Sequence, residues 1–78
     1  MKLYIGNISY KVSEKEIREH FKSVGEINTA KIIIDRDNGK SRGYAFVEMF
    51  NKKSAKKAIN ELNGTKILGR NIIVSIAK

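Results

Sequence analysis

The sequence predicts an α+β domain of order β-α-β-β-α-β: a four-stranded antiparallel sheet with two helices packed on one face. Two observations predict it. Four short runs alternate their apolar residues with period two, as half-buried strands do. Two longer runs carry apolar residues at helical spacing behind capping signals. Length sets the frame, because 78 residues make one domain, residues 1–78, with no room for a second core. Two helical stripes cover one side of such a sheet, and nothing remains to cover the other.

In chain order, Lys2–Ile8 reads as the first strand, with Leu3 and Ile5 on one face and Lys2, Tyr4 and Gly6 on the other. Gly6 is expected to leave room beside Tyr4 for a planar ligand, or else to mark a bulge. After the loop Ser9–Val12, Ser13 caps a helix. Glu16 completes a capping box, Val12 is placed to staple against Ile17, and Gly25 supplies the stop. Ile17, Phe21 and Val24 form its buried stripe, and His20 lies on the edge of that stripe as a partly covered flank residue. Ile27–Asp35 is the second strand, with Ala30, Ile32 and Ile34 toward the core and Lys31 and Ile33 away from it. The loop Arg36–Ser41 reverses the chain at Asn38-Gly39.

Arg42–Met49 is the third strand and the anomaly. Gly43, Ala45, Val47 and Met49 make a small, aliphatic core face, while Arg42, Tyr44, Phe46 and Glu48 point outward. With Tyr4, three aromatic rings then stand where an open sheet face should be polar. Asn51 caps the second helix, whose stripe is Ala55, Ala58, Ile59 and Leu62 and whose end is Asn63-Gly64. Lys66–Arg70 reads as a short turn on Gly69. Asn71–Ala77 is the last strand, with Ile72, Val74 and Ile76 in one phase and Ile73, Ser75 and Ala77 in the other.

Composition narrows the chemistry. There is no cysteine and one histidine, so disulfides, thiolate metal sites and multi-histidine sites are excluded, and no cofactor is expected. Sixteen Lys and Arg against eight Asp and Glu give a net charge of +8, which favours a polyanionic partner. No long apolar run or signal-peptide pattern is visible, so a soluble, cytoplasmic monomer with no membrane partner is expected. Flat rings on a basic surface suit unstacked nucleobases, whose faces duplexes hide.

At this point the chain resembles the RNA recognition motif family. Arg42–Met49 matches seven of the eight positions of its octamer signature, with Met49 departing at a core-facing position. Leu3–Ile8, which includes Asn7, is similar to its first-strand signature. The resemblance implies a ferredoxin-like sandwich that binds single-stranded RNA. Tyr4 with Tyr44, or Tyr4 with Phe46, would stack successive bases, and the remaining ring would pack against sugars. Arg42 would pair with a phosphate. Ser75, Ala77 and Lys78 would contact bases through backbone groups, and Lys2, Asn7, Lys31 and Ile33 complete the expected site. Sequence specificity is expected to be modest, since the chain stops at Lys78.

The residues also separate rival readings. Burial of the rings against a partner chain suits a drier face than one with Arg42 and Lys31 beside them. An acylphosphatase-like enzyme would need an arginine-bearing phosphate loop where this chain has Ser9-Tyr10-Lys11-Val12, and no nucleophile with a base and an orienting group is visible. Protein-interaction members of the family typically lose the sheet aromatics. Single-stranded DNA remains the nearest alternative ligand, because stacking does not read the 2′-hydroxyl. Lys52, Lys53, Lys56 and Lys57 are expected on the solvent face of the second helix, away from the rings.

Overall fold

The computed structural model describes residues 1–77. Its elements are β1 (Lys2–Gly6), α1 (Glu14–Phe21), β2 (Ile27–Ile34), β3 (Ser41–Met49), α2 (Lys52–Leu62), β4 (Lys66–Ile67), β5 (Arg70–Asn71) and β6 (Ile73–Ile76). β1, β2, β3 and β6 form one antiparallel sheet of order β2-β3-β1-β6, the ferredoxin-like arrangement. β1 and β3, the two strands bearing the aromatics, are therefore central, paired on both sides.

Both helices begin as the sequence requires. The Ser13 side chain accepts from the Glu16 amide at 3.2 Å while the Glu16 carboxylate accepts from the Ser13 amide at 3.0 Å, so two otherwise orphaned donors are satisfied. The Asn51 side chain accepts from the Ser54 amide at 2.7 Å. Ile17 and Phe21 of α1 and Ala55, Ala58 and Leu62 of α2 are buried with Leu3, Ile5, Ala45 and Val47 in a single core. That core sits between the helices and one face of the sheet. No described polar or charged residue is buried in it.

The structure corrects the sequence expectations at the ends of elements. β1 stops at Gly6 because Asn7 takes a left-handed conformation (φ 56°), which turns the chain out of the sheet. α1 ends at Phe21 with Lys22 as its C-cap, four residues before Gly25 would stop it. Ile34 and Ile76, assigned to the core by phase, are exposed; each is the terminal residue of its strand. The turn at Gly69 is a two-stranded hairpin, β4 with β5, reversing through Leu68 and Gly69 at φ 48° and 82°. Two adjacent positive φ angles are the mark of a type I′ turn. Asn71 pairs with Lys66 in that hairpin, so the last strand of the main sheet begins at Ile73.

One irregularity bears on function. Between the pairs Ile32–Ala45 and Ile34–Ser41, a single β2 residue lies opposite three of β3. The extra length is taken up at Gly43, whose φ of 85° suits glycine. Its amide donates to Ser41 Oγ at 3.1 Å, and its carbonyl accepts from the Ile8 amide at 3.1 Å. The strict alternation read through Arg42–Met49 therefore holds only from Tyr44 onward, and Arg42 stands at the end of the sheet.

Candidate nucleic-acid interface

Register builds the site. The pairs Lys31–Phe46, Phe46–Tyr4 and Tyr4–Ser75 run in one line across all four strands. Paired residues point to the same side, and the helices occupy the other. The next row toward one end is Thr29, Glu48 and Lys2. Toward the opposite end, Gly6 pairs with Ile73, and Tyr44 precedes the Ala45–Ile5 pair on β3.

Tyr4, Tyr44 and Phe46 form a nearly equilateral cluster. Ring centroids lie 5.9 Å (Tyr4–Tyr44), 6.1 Å (Tyr4–Phe46) and 6.0 Å (Tyr44–Phe46) apart. The Tyr4 and Tyr44 planes are tilted by 32°, whereas Phe46 meets them edge-on at 64° and 85°. Edge-to-face packing at these distances is itself favourable, so the rings hold one another half-buried without a covering element.

Gly6 is what shapes the cluster. A Cβ built there would come within 2.7 Å of the Tyr4 ring and its hydroxyl oxygen. The room that the sequence assigned to a ligand is therefore occupied by Tyr4, which leans over the glycine toward Tyr44. The expected result of Gly6→Ala is a displaced Tyr4 ring, a several-fold loss of nucleic-acid affinity and an intact fold, because only the far end of one side chain must move. Paired titration and thermal melting check it. A melting point that falls while affinity holds would contradict this role for Gly6.

The charged groups surround the rings. Lys2 Nζ lies 4.8 Å from the Phe46 centroid, a cation–π contact, and Lys31 is exposed beside Phe46. Among the described residues the only ion pair joins Lys57 and Glu61 on α2, at 4.0 Å, although Glu48 stands directly opposite Lys2 on the ring face. Ile33 is half-buried, as is Ser75. Ala77 is half-buried too and gives its amide to the Lys2 carbonyl at 3.0 Å, which leaves its carbonyl as the backbone group to offer. Lys78 lies outside the described residues.

Asn7 is engaged within the fold. Its amide donates to the Asn71 carbonyl at 2.8 Å, and its Oδ1 accepts from Arg70 Nη2 at 2.6 Å. This tie joins residues 63 positions apart, and local sequence gives no signal for it. Ile73, an exposed apolar residue opposite Gly6, was legible in phase but was not singled out. His20 lies on the helix side, its Nε2 2.8 Å from Thr65 Oγ1; burial pushes its pKa below the usual value. It takes no part in the ring face. The lysines of α2 are exposed on the helix, as their spacing predicts.

Comparison with known proteins identifies the family. The RNA recognition motif description matches residues 3–73. The 29 kDa chloroplast ribonucleoprotein of Arabidopsis thaliana is 40% identical over 77 residues, which is 99% of this chain and 22% of that protein. RbpD of Nostoc sp., named for RNA binding, is 38% identical over 78 residues, covering 100% of this chain and 83% of the relative. The Sxl-lethal protein/RNA complex superimposes with a TM-score of 0.93 at 31% identity, over 99% of this chain and 46% of that one. The chain spans only 22% to 26% of the length of the chloroplast ribonucleoproteins it matches. Their names are organellar, so a cytoplasmic location rests on the sequence reading alone; no helix among the described residues is long and apolar enough to cross a membrane. By signature, topology and matched length, the chain belongs to the RNA recognition motif family.

Proposed function

We propose that this domain binds single-stranded RNA without catalysing a reaction, by stacking bases on Tyr4, Tyr44 and Phe46. The observation that carries this reading is the cluster of three mutually packed rings on the sheet face that no helix covers. Rings in this position are accessible to splayed bases and closed to base pairs inside a duplex. Lys2, Lys31 and Arg42 meet phosphates, Ile33 and Ser75 border the rings, and the Ala77 carbonyl extends the path just past the last strand, with Lys78 a further proposed contact. Asn7 acts at the rim by holding Arg70. All three rings come from one chain, so a monomer suffices. Solved relatives support the ligand class, since the Sxl-lethal structure is a complex with RNA.

The test is titration of a labelled single-stranded RNA pool, with DNA of the same sequence beside it, across a range of salt. About three phosphate contacts predict a slope of log affinity on log salt of roughly −2, at about 0.7 per phosphate for single strands. Substituting Lys56 by alanine should change affinity less than twofold. A much steeper slope, or equal losses from Lys56→Ala and the ring variants, would replace the stacking platform with diffuse charge attraction. Tighter binding of the DNA pool would move the ligand class to single-stranded DNA.

A further inference from the structure

Beyond the end of the ring cluster, two adjoining clefts share Tyr10 and Arg42. The inner one is lined by Asn7, Ile8, Ser9, Tyr10, Arg42, Gly43 and Arg70. The outer one, of about 420 Å³, extends along Asp35, Asn38, Lys40 and Ser41, while the inner one holds about 260 Å³, the scale of part of a ligand rather than the roughly 300–1,000 Å³ of a whole ligand site. We propose that the inner cleft is a further nucleotide subsite, in which Tyr10 stacks a base and Arg42 and Arg70 bracket its phosphate. This rests on the RNA-binding reading and adds to it a subsite, a fourth ring and a second guanidinium.

Charge and geometry carry the proposal together. A lone exposed aromatic on a loop needs no explanation, and Tyr10, 75% exposed, would be one if it stood alone. Here it lines, together with Arg42 and Arg70, a cleft whose lining contains no acidic residue. Arg70 is held by neutral acceptors, the Asn7 side-chain oxygen at 2.6 Å and the Asn7 carbonyl at 3.3 Å. Those bonds fix the fork and leave its charge intact. Neither Arg42 nor Arg70 has a carboxylate partner among the described residues. Asp35 lines only the outer cleft, where its Oδ1 accepts the Asp37 amide at 2.8 Å.

Position adds a second argument. Tyr44 and Arg42 are two residues apart on β3, on either side of the Gly43 bulge, so Arg42 adjoins the Tyr44 end of the ring cluster. A strand stacked on Tyr44 that continues past Gly43 therefore enters this cleft at its next nucleotide. The left-handed Asn7 and the bulged Gly43 are both part of its lining.

The experiment compares wild type, Tyr10→Ala and Arg70→Gln on pools of random RNA dinucleotides and hexanucleotides, by fluorescence and NMR titration. Gln at position 70 keeps a donor for Asn7 and removes the charge. The expected Tyr10→Ala loss grows with length, reaching about fivefold or more on hexanucleotides, the equivalent of one stacked base. Arg70→Gln should lower the hexanucleotide salt slope by roughly 0.7, or one phosphate. Wild-type binding with equal losses at both lengths, or with no loss from Tyr10→Ala, overturns the subsite and leaves the ring platform standing. No binding of hexanucleotides by the wild type overturns both readings.

Discussion

A Tyr44→Ala, Phe46→Ala double variant is expected to lose between thirtyfold and several thousandfold in affinity for single-stranded RNA while remaining folded. Each base stacked on an aromatic ring contributes roughly 1–3 kcal/mol, and two rings of the cluster are removed. Their effects will not add in full, because the ring centroids are 6.0 Å apart and residues in contact couple. Phe46→Ala also leaves Lys2 without the ring its ammonium rests on, so the cation nearest the platform loses its fixed position. The fold should lose about 1.5–4.5 kcal/mol at most, because the two substitutions break all three ring pairs of the cluster and each is worth roughly 0.5–1.5 kcal/mol. Affinity titration and urea denaturation on the same preparation separate the two effects. Binding that persists in the folded double variant would mean that the rings serve a different purpose, most simply a protein partner.

What could be read in the sequence follows from how local each signal is. The helices were legible because caps and stripes act within one or two turns: Ser13 with Glu16, Asn51 with Ser54, Ile17 with Phe21. The outward phase of Tyr4, Tyr44 and Phe46 was legible because strand alternation is a property of neighbours, and register then placed Phe46 between Lys31 and Tyr4. Alternation failed where one residue broke it. Gly43 at φ 85° inserts a bulge that a period-two reading cannot see, which moves Arg42 from the ring face to the end of the sheet. Ile34 and Ile76 carried the correct phase for the core but sit at strand termini, where their exposure shows that phase alone does not bury a side chain. The contact between Arg70 and Asn7 depends on two distant segments meeting. Hence the clefted end of the interface emerges only from the fold, while its aromatic centre is written in the octamer.

Phe21→Ala is expected to destabilise the domain by about 3–5 kcal/mol, the usual range for truncating a buried aromatic. Phe21 is completely buried at the last residue of α1. A chain of 78 residues has a total stability of about 4–12 kcal/mol at 0.05–0.15 kcal/mol per residue, so this one ring accounts for a large fraction of it. The same chemical change is therefore expected to have different consequences on the two faces of the sheet: at Phe46 the loss of the proposed base contact, and at Phe21 the loss of the structure that carries the rings. Ligand linkage tells the two apart. RNA at a hundred times its dissociation constant stabilises the folded state by roughly 2.7 kcal/mol, enough to offset most of the Phe21→Ala loss, because the ring cluster is unaltered. Circular dichroism melts with and without RNA should show Phe21→Ala recovering much of its melting temperature, with the double ring variant gaining at most about a third of the wild-type stabilisation at the same RNA concentration. If RNA fails to rescue Phe21→Ala although wild type responds to it, the core and the ring face are coupled more tightly than a two-sided sheet allows, and the division of labour between its faces would have to be abandoned.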